Sequence, residues 1–183
     1  MITKTVIPAA GFGTRMLPAA KAIPKEMLPV LDKPTIQYVV EEAAGAGATD
    51  VLLIVSRDKK AVEDHFDRYP ELEARLQASG KTALIDSVLK LQETIRVHAT
   101  RQLEQRGLGH AVLQARHHVG DQPFLCCLGD TIFSGGDQTP ATLPYCDCQV
   151  LLERSFYAPI WDRSWPDDTV VEFDYMDSPP RQP

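Results

Sequence analysis

The sequence predicts an α/β fold built on a parallel sheet. Short, continuously apolar runs of strand length alternate with stretches of helical periodicity, and Gly-containing turns fall where several of the runs end. Unbroken apolar runs are what strands covered on both faces require. A strand–helix–strand–helix–strand–helix–strand order then implies right-handed crossovers, with ligands at the carboxyl ends of the strands.

The elements follow in order. Residues 4–10 (KTVIPAA) read as a short buried strand that runs into the loop GFGTRMLPAAKAIPKEMLPV, too rich in Pro and Gly to be a helix. Lys33-Pro34 opens a helix, with Pro34 suited to its first turn. Ile36, Val39, Val40 and Ala43 recur at helical spacing, and Gly45 and Gly47 end it. Residues 51–56 (VLLIVS) form the second strand. Residues 61–69 read as helical, and residues 72–91 as a helical stretch broken near Gly80. Residues 95–99 (IRVHA) give a third strand, the RGLG turn follows, and a helix covers residues 110–118. Residues 123–128 (PFLCCL) make a fourth buried strand that ends at Gly129-Asp130.

Composition narrows the function classes. The chain has 183 residues, enough for one domain, or for one domain and a ragged end; 44% are hydrophobic and 24% charged, which supports a packed core. A net charge of −6 argues against a nucleic-acid partner, which calls for a basic face. It leaves room for a small anionic ligand held by a few placed cations and backbone N–H groups. Cys126, Cys127, Cys146 and Cys148 give no CxxC and no zinc spacing; the adjacent pair reads as reduced core residues. No signal peptide and no run of about 20 apolar residues is visible. The expectation is a soluble, cytoplasmic protein with no membrane partner.

The chemistry concentrates after the first strand. In Gly11-Phe12-Gly13-Thr14-Arg15 the glycines let the backbone approach an anion closely, successive N–H groups can cradle phosphate oxygens, and Arg15 can add a bidentate contact. A dinucleotide fingerprint would need Gly where Met16 stands, and a P-loop would need GxxxxGK[ST]. An ordinary strand-to-loop turn is the competing reading of a lone GxG. The loop does not stand alone. Lys21, Lys25 within Pro24-Lys25-Glu26-Met27-Leu28-Pro29, and Lys33 make it stiff and cationic, which suits holding a triphosphate. Taken singly, Lys21 and Lys33 read as surface residues and Lys25 as a site residue.

The run AAGFGTRMLPAAKAIPKEMLPVLDKPTIQYVVEEA resembles the signature of the sugar nucleotidyltransferase superfamily, and its PKEMLP version is similar to that of bacterial UTP–glucose-1-phosphate uridylyltransferases. Gln102 through RGLGHAVLQA and the stretch LGDTI match in order and spacing, and the resemblance covers residues 1–142. It implies a Rossmann-like, glycosyltransferase-A-like sheet flanked by helices. The uracil would be held by backbone groups of Ala10 and Gly11 and by Gln102, with Glu26 and Gly107 near the nucleoside. Gly13, Thr14, Arg15 and Lys25 would bind the triphosphate, with Arg15 and Lys25 in catalytic roles. Asp130 would hold Mg²⁺, an ion that takes oxygen ligands and bridges phosphates. His110 reads as structural. The implied reaction joins UTP and glucose 1-phosphate to give UDP-glucose and pyrophosphate.

The sequence also departs from the family. Members continue with a sugar-binding half that supplies a second Mg²⁺ carboxylate, a VEKP-like segment and the elements through which they form homo-oligomers. Residues 143–183 match none of this, and Val171-Glu172-Phe173 lacks the Lys. That tail reads as a shifted frame, a rearranged gene end or a disordered segment. Three expectations stand together: an active uridylyltransferase, a truncated and catalytically inactive UTP-binding remnant, and a thymidylyltransferase-type relative.

Overall fold

A computed structural model describes residues 2–132 of the chain. Strand β1 (Lys4–Pro8) is followed by three single 3-10 turns, Thr14–Met16, Ala19–Lys21 and Lys25–Met27. A two-stranded antiparallel ribbon, β2 (Pro29–Val30) and β3 (Lys33–Pro34), leads into helix α1 (Thr35–Gly45). Then come β4 (Asp50–Val55), α2 (Lys60–Phe66), α3 (Pro70–Ala78), α4 (Asp86–Thr94), β5 (Arg96–Arg101), α5 (Leu108–Leu113), α6 (Arg116–Val119) and β6 (Phe124–Cys126). The main sheet has the order β5-β4-β1-β6, and every pairing in it is parallel.

The apolar runs of β1 and β4 are unbroken because both faces of the sheet are covered. Ile7, Val51, Leu53 and Val55 face one way, into a core shared with Ile36, Val39, Val40 and Ala43 of α1, Val62 and Phe66 of α2, and Leu91 of α4. Val6, Leu52 and Ile54 face the other way, onto Ala111, Val112, Ala115 and Val119, with Phe124 of β6 in the same cluster. The period of two in a strand divides one run between two cores. Each fully buried Ile, Leu or Val contributes roughly 1.5–3 kcal/mol relative to exposure. β5 is the exception: its register with β4 runs from Asp50↔Arg96 to Val55↔Arg101, but its side chains are largely exposed and polar, as an edge strand should be.

The expected elements are present, with adjusted ends. Helix α1 begins at Thr35, and Pro34 is the residue before it rather than its first residue. The helix expected over residues 110–118 is two short pieces, with Ala115 joining them. The helix expected over 61–69 stops at Phe66, because Asp67 is extended. Cys126 and Cys127 are half-buried against the two cores and in no disulfide among the described residues. No described helix is long and apolar enough to cross a membrane. The tail at 143–183 lies outside the described residues.

The end of α1 shows how the sequence stops a helix. Ala48 N–H donates to the Ala43 carbonyl and Gly47 N–H to the Ala44 carbonyl, each at 3.0 Å, the paired bonds of a Schellman ending. Gly47 sits at φ +94°, which L side chains resist, whereas Gly45 is an ordinary helical residue. No atom lies within 4 Å of a Cβ built on either. Two neighbouring changes should therefore act in opposite directions. Gly47→Ala should destabilise by about 1–2 kcal/mol, and Gly45→Ala should stabilise by about 0.5–1 kcal/mol. Urea-unfolding midpoints of the two variants check this, and shifts of the same sign would refute it.

Candidate functional site

The sheet reverses its order at β1. The chain moves from β1 to β4 and β5 on one side, then crosses to place β6 on the other. Such a reversal opens a crevice beyond the carboxyl ends of the strands flanking it, here β1 and β6. β1 delivers Ala9, Ala10 and the Gly11–Arg15 loop to this crevice, and β6 delivers Leu128, Gly129 and Asp130.

One contact closes the crevice. Lys25 Nζ donates to Asp130 Oδ2 at 2.5 Å across 105 residues of sequence, and both side chains are about one-fifth exposed. The lysine reaches that position because the loop backbone lies directly on its stem. A Cβ built on Gly13 would stand 3.2–3.3 Å from Lys25 Cβ, Cγ and Cδ, a tight approach, and Gly13 sits at φ +68°, which L side chains resist. Arg15 and Thr14 stand exposed on the same loop, and Arg15 forms no ion pair among the described residues.

Beneath this contact lies a buried ion pair. Glu26 is wholly buried and accepts from Lys59 Nζ at 2.7 Å; Lys59 is 5% exposed and sits just before α2. Glu26 Oε1 has no hydrogen-bond partner among the described residues. Gly129 packs on the same carboxylate stem: a Cβ there would stand 3.1 Å from Ile36 Cδ1 and 3.3 Å from Glu26 Cγ and Ile7 Cγ2. Glu26 thus lies buried beside the crevice, with Oε2 on Lys59 and Oε1 without a partner among the described residues.

The β5 side supplies amides. Gln102, directly after β5, is 5% exposed, and its backbone N–H donates to the Val55 carbonyl at 2.9 Å. Its Nε2 donates to the Gly107 carbonyl at 3.1 Å and lies 2.9 Å from His110 Nδ1. Gly107, at φ +89°, turns the chain into α5, and its carbonyl also accepts the Ala111 N–H at 3.1 Å. Gln105 Nε2 donates to the Ala10 carbonyl at 2.7 Å and ties the two loops together. With that carbonyl engaged by Gln105, the N–H groups of Ala10 and Gly11 are the backbone donors this turn offers.

Lys25, Gly13, Asp130, Ala10 and Gly11 therefore gather at the crevice, and Gln102 and Gly107 pair at its β5 side. Lys33 does not join them. It donates to both Glu41 oxygens at 2.9–3.0 Å, and that hydrogen bond raises its pKa above the usual lysine value. Lys59, Gln105 and the close approach at Gly129 were missed by sequence reasoning. Each acts through a partner far along the chain, and no local spacing signals it.

Among the described residues no group of three or more His, Cys, Asp or Glu side chains could hold a metal ion. A single carboxylate, Asp130, is still a sufficient protein donor for Mg²⁺ that arrives with phosphate oxygens, since this ion keeps few protein ligands. The Lys25 ammonium already shows that a cation is favourable at Asp130.

Residues 4–142 match the nucleotidyl transferase family. The chain is 56% identical over 131 residues to UTP–glucose-1-phosphate uridylyltransferase 2 of Staphylococcus saprophyticus, which covers 72% of this chain and 45% of that protein. It is 54% identical over 131 residues to the UTP–glucose-1-phosphate uridylyltransferase of Bacillus subtilis, with the same coverage of 72% and 45%. A solved structure of UTP-bound UGPase from Acinetobacter baumannii superposes with a TM-score of 0.71 at 43% identity, over 75% of this chain and 48% of that one. The chain thus spans about half the length of the relatives it matches.

The buried ion pair generates a stability prediction. Lys59→Met leaves the Glu26 carboxylate buried without its cation and should cost about 3–5 kcal/mol, whereas Lys59→Met with Glu26→Leu should recover most of that loss. Equilibrium denaturation of the two variants checks it. A single variant as stable as the parent would show that the pair is not desolvated.

Proposed function

The chain belongs to the nucleotidyl transferase family, and we propose that its described residues form the nucleotide-binding half of a UTP–glucose-1-phosphate uridylyltransferase. The observation that carries this reading is the Lys25–Asp130 contact at the β1/β6 crevice, under a glycine loop that lies on the lysine stem. Identities of 54% and 56% to relatives of that name support the choice of nucleotide and sugar phosphate.

In this reading the Gly11–Arg15 loop and Lys25 take the triphosphate. Backbone N–H groups of Ala10 and Gly11, with Gln102 and Gly107 on the β5 side, take the uracil and its nucleoside. Glu26, near the nucleoside in this reading, also ties the loop to Lys59. Asp130 would hold Mg²⁺, whose chemistry is to neutralise phosphate charge. Lys25 and Arg15, both on the loop, would stabilise charge that builds up on the phosphates in transfer.

The reaction balances simply. A phosphate oxygen of glucose 1-phosphate attacks the α-phosphorus of UTP in line, a P–O bond forms, the bond to the β-phosphate breaks, and pyrophosphate leaves with UDP-glucose as product. No acid–base side chain is required, so positioning and charge carry the step. A net charge of −6 is unfavourable for a nucleic-acid partner, and the reading places the protein in the cytoplasm.

A second reading, UTP binding without transfer, rests on the site itself, since the described residues gathered at the crevice are assigned to the nucleotide, its phosphates and the metal, and none to the sugar. Pyrophosphate release from the 183-residue chain with UTP, glucose 1-phosphate and Mg²⁺ separates the two. Transfer predicts turnover that falls by roughly 100-fold or more in Lys25→Ala, as expected for a group acting on developing charge. Absence of turnover from folded protein that still binds UTP would leave the second reading. The thymidylyltransferase alternative predicts a preference for dTTP over UTP in the same assay.

A further inference from the structure

His110 is not needed by the transfer chemistry, yet its ring is turned onto the one side-chain amide assigned to the base. The hydrogen bonds there fix more than position. The Gly107 carbonyl can only accept, so the Gln102 group 3.1 Å from it must be the NH₂ and not the oxygen. That settles the orientation of the amide, which is otherwise open to a flip. The same Nε2 lies 2.9 Å from His110 Nδ1. Facing an NH₂ group, Nδ1 takes the acceptor role in this contact. On the other side of the ring the Gln114 amide donates to the His110 carbonyl at 3.0 Å and lies 3.3 Å from ring Nε2, a longer approach than the 2.9 Å at Nδ1.

We propose that His110 is a positioning residue for base selection: with Gly107 it holds both hydrogens of the Gln102 amide, so that Gln102 Oε1, an acceptor, is the atom presented to the base. An acceptor pairs with the N3–H of an imide base, as in uracil or thymine. It opposes the N3 lone pair of cytosine. The selected ligand class is a nucleoside triphosphate with an imide pyrimidine. The inference rests on the assignment of Gln102 to the base and goes beyond it by naming what sets the polarity of that contact. With Gly107 alone the amide keeps one anchor. The second anchor, from His110, adds to this, because a flip would set the amide oxygen against the Gly107 carbonyl and would also require the ring to exchange the acceptor role of Nδ1 for a donor role.

The test is equilibrium binding of UTP and CTP, each with Mg²⁺, to the 183-residue chain and to His110→Ala and His110→Asn. Far-UV circular dichroism and thermal midpoints without nucleotide confirm folding. Losing one hydrogen bond that biases the flip should lower the UTP/CTP preference by roughly tenfold in His110→Ala. His110→Asn, whose amide oxygen can accept where Nδ1 accepts, should restore most of the preference. A purely structural role would weaken both nucleotides alike and leave the ratio unchanged in both variants, and that result overturns the proposal. So does a ratio that falls equally in His110→Ala and His110→Asn. Should His110→Ala not fold, the Asn variant decides alone, since a folded Asn variant with lost preference contradicts the rescue. If the parent chain binds neither nucleotide, the functional reading fails first and takes this inference with it. That outcome is seen without any substitution.

Discussion

The Lys25–Asp130 contact fixes the site, because it joins the two strand ends between which the sheet reverses. A parallel sheet alone provides a crevice there but no chemistry. The contact supplies both signs of charge at one point, half-shielded from water, where a charge-assisted bond is worth more than at the open surface. Its geometry depends on two residues without side chains. Gly13 lets the loop lie on the lysine stem, and Gly129 lets the β6 end lie on Ile36, Ile7 and Glu26. A Cβ at either position would crowd these side chains by a few tenths of an ångström, and at Gly13 it would also strain a backbone at φ +68°.

Below that contact, the Glu26–Lys59 pair makes the loop a part of the core. Burying two charges is costly, and a pair of this kind is not a strong source of net stability. Its consequence is register. The short turn Lys25–Met27 must sit so that Glu26 points down to Lys59 while Lys25 points across to Asp130. Neighbouring residues thus send opposite charges in different directions, and the turn between Pro24 and Leu28 holds both. The β5 side is built by amides in the same spirit. Gln105 holds the Ala10 carbonyl, and Gln102 is clamped by Gly107 and His110.

Much of the fold was legible in the sequence for a simple reason: apolar runs of four to six residues between turn signals have few readings besides buried strands. The run at residues 51–56 was read on that basis and is the strand Asp50–Val55, while helical spacing marked the face Ile36, Val39, Val40 and Ala43 of α1. Helix ends were less legible. Pro34 fits either the first turn or the residue before it, and Ala115 breaks residues 110–118 without Gly or Pro to announce it. Within the site, the glycine loop and Lys25 were visible from local chemistry, while Gln102, Gly107 and Asp130 were reached through resemblance. The tie from Glu26 was not visible, since its partner Lys59 is 33 residues away and looks like one of two adjacent surface lysines. Lys33 was read as a surface residue, and its tie to Glu41 keeps it away from the crevice.

The central claim is that this crevice is a UTP site. Isothermal titration of UTP with Mg²⁺ into the folded 183-residue chain tests it directly. The account predicts saturable binding of one nucleotide per chain that weakens by roughly tenfold or more in Lys25→Ala, the loss expected for one charge-assisted contact. Folded protein that takes up no UTP, or binds it equally well without Lys25, would contradict the account.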